Sequence, residues 1–270
     1  NNKPDVVILA AAKVGGIYAN STYPYQFISE NLKIELNTIE SAFKNNVKRF
    51  LFLGSSCIYP KMSKQPIKEE YLLSGALEKT NEYYAIAKIS GLKLCQALRE
   101  QYGFDAISLM PTNLYGPGDN YDPQGSHVIA GLIRRFLEAK KNNAKEVTCW
   151  GSGSPLREFL YSEDLGEACR FALEYWDPNC DDAPLDENGN PLNLMNVGTG
   201  IDISIGKLVE IIASKTNFKG NIIWDKNKPD GTPKKLLDIS KFKQFGWEAK
   251  ISLNDGLDIA IKEFSDLYLD

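Results

Sequence analysis

The sequence predicts an α/β fold, a doubly wound parallel sheet with a smaller α/β region beside it. Three observations carry that prediction. Short continuous apolar runs alternate with longer stretches of helical periodicity. The runs have the length and composition of strands covered on both faces, as parallel strands are. The least ordinary residues gather where those runs end, at Ala12-Lys13-Val14-Gly15-Gly16, Ser55-Ser56-Cys57 and Pro111-Thr112-Asn113. In a sheet of this kind ligands bind beyond the carboxyl ends of the strands, so all three would open onto one crevice.

Taken in order, Asp5-Val6-Val7-Ile8-Leu9-Ala10-Ala11-Ala12 is an apolar run expected as a strand buried on both faces. It passes into Lys13-Val14-Gly15-Gly16, where small residues let a ligand approach the backbone. Between Gln26 and Asn46, Ile28, Leu32, Leu36, Ile39 and Phe43 recur at helical spacing, and Asn45-Asn46 ends the helix. Phe50 to Gly54 is the next buried strand, followed by a helix over Asn81 to Tyr102 and a strand over Ala106 to Met110. Gly91 inside that helix costs roughly 1 kcal/mol relative to Ala, which close packing against a neighbour and a tolerated accident explain equally well.

From Gly116 the composition turns to loop, leading through Ser126 to His127 and a helix ending near Asn142. Val147 to Trp150 is a strand, and Ser162 is expected to cap a helix that carries Glu163 and Asp164 in its first turn. Asp177 to Pro191, rich in Asp, Asn, Pro and Gly, is a surface loop. Asn193 to Val197 is a strand closed by Gly198-Thr199-Gly200. Ser204 caps a helix to Thr216, Ile222 to Asp225 is a short strand, and Ser252-Leu253-Asn254-Asp255 caps the last helix.

Composition narrows the function classes. The chain has 270 residues, 43% hydrophobic and 24% charged, enough for a sizeable core. A net charge of -4, with no block of basic residues, does not indicate a nucleic-acid surface. No apolar run approaches the ~18 residues of a membrane span and no signal-peptide pattern is present, so a cytoplasmic location is expected. Five cysteines without Cys-x-x-Cys spacing, and a single histidine, His127, argue against a disulfide framework and against a bound metal.

The chemistry is concentrated in Tyr84-Ala85-Ile86-Ala87-Lys88. Residues four apart share a helix face, so the phenol and the ammonium can address one small region. A cation beside a phenol of pKa ~10 would bring it toward the range useful for acid-base work. Ser55, at the end of the preceding strand, can offer a hydroxyl to the same substrate oxygen. Tyr-x-x-x-Lys alone is more often the mark of an amphipathic helix with a buried ring and a solvated lysine. The Ser-bearing strand end before it and Pro111-Thr112-Asn113-Leu114-Tyr115-Gly116-Pro117 after it set this instance apart.

Together these stretches resemble the extended short-chain dehydrogenase/reductase family, a Rossmann-like fold whose catalytic residues are Ser, Tyr and Lys in this order. The resemblance narrows at Ala10-Ala11-Ala12-Lys13-Val14-Gly15-Gly16-Ile17, Gly54-Ser55-Ser56-Cys57-Ile58-Tyr59-Pro60-Lys61, Ser126-His127-Val128-Ile129, Trp150-Gly151-Ser152-Gly153, Arg157-Glu158-Phe159 and the stretch 228–238. These are similar to the GDP-L-fucose synthase branch of the family. That branch would use NADPH to epimerise GDP-4-keto-6-deoxy-D-mannose at C3 and C5 and reduce it at C4. The resemblance implies Ser55, Tyr84 and Lys88 for reduction, and Cys57 and His127 as base and acid for epimerisation. It implies Leu53, Gly54, Ser55, Ser56, Lys88, Pro111, Thr112, Asn113, Leu114 and His127 along the cofactor. Arg135, Trp150, Arg157, Asp230 and Lys235 are implied along the substrate, cations being what a diphosphate requires. It further implies a homodimer through the helices at Gln26 to Asn46 and Asn81 to Tyr102.

By the same resemblance, 1–116 is the dinucleotide-binding part, with 155–200 returning to it, and 117–154 and 201–270 form mainly the substrate-binding region. Neither Gly-x-x-Gly-x-x-Gly nor Gly-x-Gly-x-x-Gly occurs, and the first strand reads as the fourth of such a fold. About fifty residues bearing the pyrophosphate loop are therefore expected ahead of Asn1. Three other functions fit less well. A 4,6-dehydratase is expected to carry Asp-Glu where Ser56-Cys57 stands, and a 4-epimerase has no need of Cys57. A non-catalytic GDP-sugar-binding protein would not need Ser55, Cys57, Tyr84, Lys88 and His127 together.

Overall fold

The computed structural model describes residues 3–228 and 230–268. Asn1, Pro229 and Asp270, which the expected domain limits and the 228–238 stretch include, lie outside the described residues. The strand β1 (Val6–Leu9) leads through a short α1 (Ile17–Thr22) into the long α2 (Pro24–Lys44). Then follow β2 (Arg49–Leu53), α3 (Glu82–Tyr102), β3 (Ala106–Pro111), β4 (Asn113–Tyr115), α4 (Val128–Lys141) and β5 (Glu146–Trp150). The second half comprises β6 (Leu156–Tyr161), α5 (Ser162–Tyr175), β7 (Leu194–Val197), β8 (Asp202–Ser204) and α6 (Ile205–Lys215). It ends with β9 (Asn221–Asp225), β10 (Lys234–Lys235), α7 (Ser240–Gln244) and α8 (Leu253–Tyr268).

The main sheet is parallel, in the order β1-β2-β3-β7, as the alternation of runs and helices predicts. Side chains of a strand alternate between faces, and β2 shows why its run is apolar throughout. Phe50 and Phe52 pack with Ile39, Ala42, Ile89 and Leu92 from α2 and α3. Leu51 faces the other way, onto Leu165, Ala168, Ala172 and Trp176 of the α5 side. Leu237, Phe242 and Trp247 join these two cores as well, so the chain returns to the main sheet near its end. The third core gathers α4, α6 and α8 over β5 and β6 around Ile133, Phe136, Leu208, Ile212 and Leu257.

A second sheet, β10-β6-β4, is parallel, with β8 antiparallel on β6. Buried Glu158 of β6 anchors it. Its carboxylate accepts the backbone N–H groups of Thr199, Gly200 and Leu237, tying the loop after β7 to β10. The Asp177 to Pro191 stretch is a largely exposed loop, its turn held by Asp186 accepting from the Asn188 and Asn190 N–H groups.

Three local expectations change. The β1 run is not covered on both faces, because it lies at the sheet edge with Val6 and Ile8 exposed and only its other face against α2. In α2 the buried stripe is Phe27, Asn31, Glu35, Ile39 and Ala42, whereas Leu32 and Leu36 face outward. Ser162 does not cap α5; it is the first helical residue, and Asp164 turns inward to accept from the Lys250 and Ile251 N–H groups. The caps expected at Ser204 and Ser252 are present, each hydroxyl accepting the N–H three residues on.

Gly91 sits where α3 crosses α2, and a Cβ there would stand 2.7 Å from both Glu35 Oε2 and the Phe52 ring. The carboxylate can yield, but Phe52 is locked in the sheet. A Gly91→Ala variant gains about 1 kcal/mol of helix propensity and loses ~1–3 kcal/mol to overpacking. Urea titration should show a net loss of about 1 kcal/mol; a gain would mean that this crossing has room to spare.

Candidate active site

At the carboxyl ends of β2 and β3 lies a cavity of about 850 Å³, floored by the main sheet and walled by the second sheet and α4. Its chemistry starts in one tight turn. Ser55 is extended, and its Oγ accepts the Cys57 N–H at 3.2 Å, opening a single 3₁₀ turn over Ser56–Ile58. That bond aims two reactive side chains, two residues apart, into one space. Gly54 beneath them packs on Met110, whose Sδ would be 2.4 Å from any Cβ.

Each of the other groups arrives from a different element. Tyr84 comes from the first turn of α3, and Asn81, just before that helix, donates its Nδ2 to Cys57 Sγ at 3.3 Å. His127 occupies the position before α4 with extended backbone, and its ring is not used as a cap. Gly15 and Gly16 line the same wall, and a Cβ on Gly16 would come within 2.8 Å of the Ser126 carbonyl. The small residues at the end of the first run therefore make room for the segment that carries His127. Pairing of β10 with β6 sets Lys235 directly beside Arg157, and Lys235 Nζ reaches Cys57 Sγ at 3.4 Å. Asp230 accepts from the Ser152 N–H and hydroxyl, and its carbonyl accepts from Arg157. Half-exposed Trp150 carries Lys228 over its ring at 5.3 Å. Arg135 is turned to the carbonyls of Gly131 and Thr148 while still lining the cavity.

Gly54, Ser55, Ser56, Cys57, Tyr84, Pro111, Thr112, Asn113, Leu114, His127, Arg135, Trp150, Arg157, Asp230 and Lys235 all line this cavity. Leu53 and Lys88 do not. Lys88 is 2% exposed, donates to the Leu53 carbonyl at 2.9 Å, and stands 3.4 Å from Glu35 Oε1, itself 2% exposed. This corrects the expected tuning of Tyr84. Burial, then the nearby charges of Cys57 and Glu35, push the phenol above its ordinary value, and the Ser55 hydroxyl bond only partly opposes them. Tyr84 is therefore a protonated donor at neutral pH rather than an incipient phenolate.

Cys57 moves the other way. Burial raises its pKa, but the Lys235 ammonium, hydrogen bonds from Ser55 and Lys235, and the Arg157 charge outweigh burial and leave it below 9.0. His127 is pushed below 6.5 by the crowding of the cavity walls, with Asp119 pulling it up and Lys235 adding to the depression. A thiol lowered against burial and a buried imidazole thus face the same cavity, two groups able to exchange protons with one substrate.

Asn81, Glu78 and Thr232 line the cavity and were not singled out by sequence. Asn81 lies three residues before Tyr84 and could have been read as part of the same motif. Glu78, held by Lys61 and Thr232, is bound by contacts far apart in the chain, which no local pattern reports. Two buried acceptors, Asn20 Oδ1 and Asn81 Oδ1, have no donor among the described residues, and both residues line the cavity. A ligand rich in hydroxyl and amide donors would satisfy them. Gly54 to Ser56 and Pro111 to Leu114, at the carboxyl ends of β2 and β3, line the part of the cavity where a parallel sheet of this kind receives a nicotinamide dinucleotide. Among the described residues, no group of three or more His, Cys, Asp or Glu could hold a metal ion.

Comparison with known proteins agrees with this geometry. Residues 1–180 match the NAD dependent epimerase/dehydratase family. The chain is 56% identical over 255 residues to a putative GDP-L-fucose synthase 2 of Arabidopsis thaliana, covering 94% of this chain and 74% of that protein. It is 53% identical over 257 residues to the GDP-L-fucose synthase of Escherichia coli (strain K12), covering 94% of this chain and 78% of that protein. Among solved structures, a GDP-6-OMe-4-keto-L-xylo-heptose reductase from C. jejuni superposes with a TM-score of 0.88 at 33% identity, covering 98% of this chain and 83% of that one. A GDP-L-fucose synthetase from Naegleria fowleri bound to NADP superposes with a TM-score of 0.84 at 26% identity, covering 99% and 79%. By motif, fold and site, the chain belongs to the NAD dependent epimerase/dehydratase family.

Proposed function

We propose that this chain converts GDP-4-keto-6-deoxy-D-mannose to GDP-L-fucose, epimerising C3 and C5 and reducing C4 with NADPH. The observation that carries the reading is that two separate proton-transfer sets, Cys57 with His127 and Ser55 with Tyr84, line one cavity. A simple reductase needs only the second. The identity of the chain to proteins named GDP-L-fucose synthase supports the same reading.

The 4-keto group acidifies the neighbouring C–H bonds. The Cys57 thiolate takes the proton, the C–H electron pair moves into an enolate at O4, and His127 returns a proton to carbon on the opposite face. Ser55 and protonated Tyr84 hydrogen-bond the oxygen on which charge develops. The same Tyr84 proton goes to O4 in the reduction. NADPH, when bound, supplies the hydride to C4, and Gly54 to Ser56 and Pro111 to Leu114 would line its nicotinamide half. Arg157, Arg135 and Lys235 supply positive charge for the diphosphate, and Trp150 an aromatic face.

The two parts expected from the sequence correspond, in this reading, to the cores on either side of the main sheet and to the third core around α4, α6 and α8. The chain would work as a homodimer. Tyr25, Leu32 and Leu36 on α2 and Tyr83 and Ile86 on α3 are apolar and exposed, and these two helices pack side by side. A second copy covering this face would remove that surface from water. All five cysteines are unpaired, which suits a reducing, cytoplasmic setting. No described helix is long and apolar enough to cross a membrane.

Two tests follow from these assignments. Incubated with the keto-sugar and NADPH in deuterated water, Cys57→Ser should lose deuterium uptake at C3 and C5 by about 10²-fold or more. Tyr84→Phe, which leaves Ser55 on the enolate oxygen but removes the proton donor for O4, should lose reduction by a clearly larger factor than uptake; equal loss of both reactions in both variants would remove the division of labour. In sedimentation velocity the protein should run as a dimer at micromolar concentration, and Leu36→Glu with Ile86→Glu as a monomer. A wild-type monomer would contradict the interface.

A further inference from the structure

Several buried ionisable groups have no part in the chemistry above, and Glu35 is the one set against a lysine that does. Glu35 lies on the inner face of α2, 2% exposed, with Phe52 and the Gly91 backbone against it. Neither carboxylate oxygen makes a hydrogen bond. A carboxylate so placed is costly unless paired, and a buried ion pair replaced whole by apolar residues of similar size is ordinarily tolerated or favourable. Its one partner is Lys88, at 3.4 Å.

Lys88 has its own constraint. Its ammonium donates to the Leu53 carbonyl, the last residue of β2 before the Ser55 turn. It lies 4.9 Å from the Phe52 ring centroid and 6.0 Å from that of Tyr84. Burial pushes the Lys88 pKa down, while the Glu35 charge pulls it up. The ionisable groups facing Glu35 all come from α3: Lys88, Tyr84 and Cys95. From β2, Phe52 packs on the same Gly91 as the Glu35 carboxylate. Lys88 is thus the only cation among these neighbours.

We propose that Glu35 is a positioning residue for the reduction, the counter-ion that keeps Lys88 protonated and seated between the Leu53 carbonyl and the Tyr84 ring. The proposal rests on the functional reading above. When Tyr84 gives its proton to O4, a phenolate remains, and Lys88 is the cation placed to stabilise it. Without the Glu35 charge, burial alone governs Lys88, which then loses its proton at lower pH. The upper limb of the pH–rate profile of reduction therefore moves down. Epimerisation, carried by Cys57 and His127 elsewhere in the cavity, does not.

The test uses the full chain. Deuterium uptake and C4 reduction are followed from pH 6 to 10 for wild type, Glu35→Gln and Glu35→Asp, with far-ultraviolet circular dichroism to establish folding. Glu35→Gln should shift the upper limb of reduction down by about one pH unit or more while uptake stays within about two-fold of wild type. Glu35→Asp, retaining the charge, should restore part of the shift. Parallel loss of both reactions, or no shift, overturns the proposal. A substrate-free measurement stands beside it. The ¹³C carboxyl resonance of Glu35, identified by its absence in Glu35→Gln, should titrate near the value of about 7 to which burial raises it against the pull of Lys88. In Lys88→Met, with that pull removed, it should titrate higher still. Titration in the ordinary carboxylate range, or indifference to Lys88→Met, overturns the pairing even if Glu35→Gln does not fold. A wild-type chain that neither exchanges nor reduces would defeat the functional reading, while the carboxyl titration would still decide on the pair.

Discussion

Everything at this site depends on the hydrogen bond from the Cys57 N–H to the Ser55 hydroxyl. It converts the end of an extended strand into a single 3₁₀ turn, so that residues which would point to the same face of a strand instead enter one cavity at adjacent points. The turn has no freedom to drift, because Gly54 donates to the Leu109 carbonyl and has Met110 pressed against it. The Ser55 hydroxyl and the Cys57 thiol, to which the proposed function gives reduction and epimerisation, are thereby held in register by the central strands of the sheet. The remaining groups are brought to that turn, each on its own element.

Charge around the turn is partitioned. Lys235 and Arg157, neighbours through strand pairing, place positive charge where a thiolate forms and where a diphosphate would lie. That charge lowers Cys57 against burial, only adds through Lys235 to the lowering of His127 by burial, and leaves Tyr84 to be raised by burial. One acidic pair member, Glu35, is set behind the sheet end and out of the cavity. It holds a lysine without meeting the substrate. Burial raises both Cys57 and Tyr84, but at Cys57 the charges of Lys235 and Arg157 with hydrogen bonds from Ser55 and Lys235 outweigh it, whereas at Tyr84 the Cys57 and Glu35 charges add to it.

The sheet and most of the site were legible from sequence, since strand ends in a parallel sheet are marked locally by Gly, Ser and Pro. What escaped notice is set by distant partners. β6 (Leu156–Tyr161) follows a Gly/Ser/Pro turn and carries Arg and Glu, and it is a strand because β4, β8 and β10 pair with it from 40 or more residues away in sequence. The apolar stripe of α2 pointed to Leu32 and Leu36, which are exposed; the buried face instead carries Asn31 and Glu35, whose burial only a partner can justify. Periodicity cannot tell a core face from an interface face, since both are apolar. Likewise, the spacing of Tyr84 and Lys88 gives their common face but not the carboxylate on α2 that claims the lysine.

The central claim is that a single cavity both inverts two carbons and reduces a third. Its most direct test is the isotopic content of the product formed by the wild-type protein from GDP-4-keto-6-deoxy-D-mannose and NADPH in deuterated water. The account predicts a reduced sugar nucleotide carrying solvent deuterium at C3 and at C5. A reduced product with no deuterium at either carbon would contradict it, leaving Ser55 and Tyr84 as a plain reductase site and Cys57 and His127 without a catalytic role.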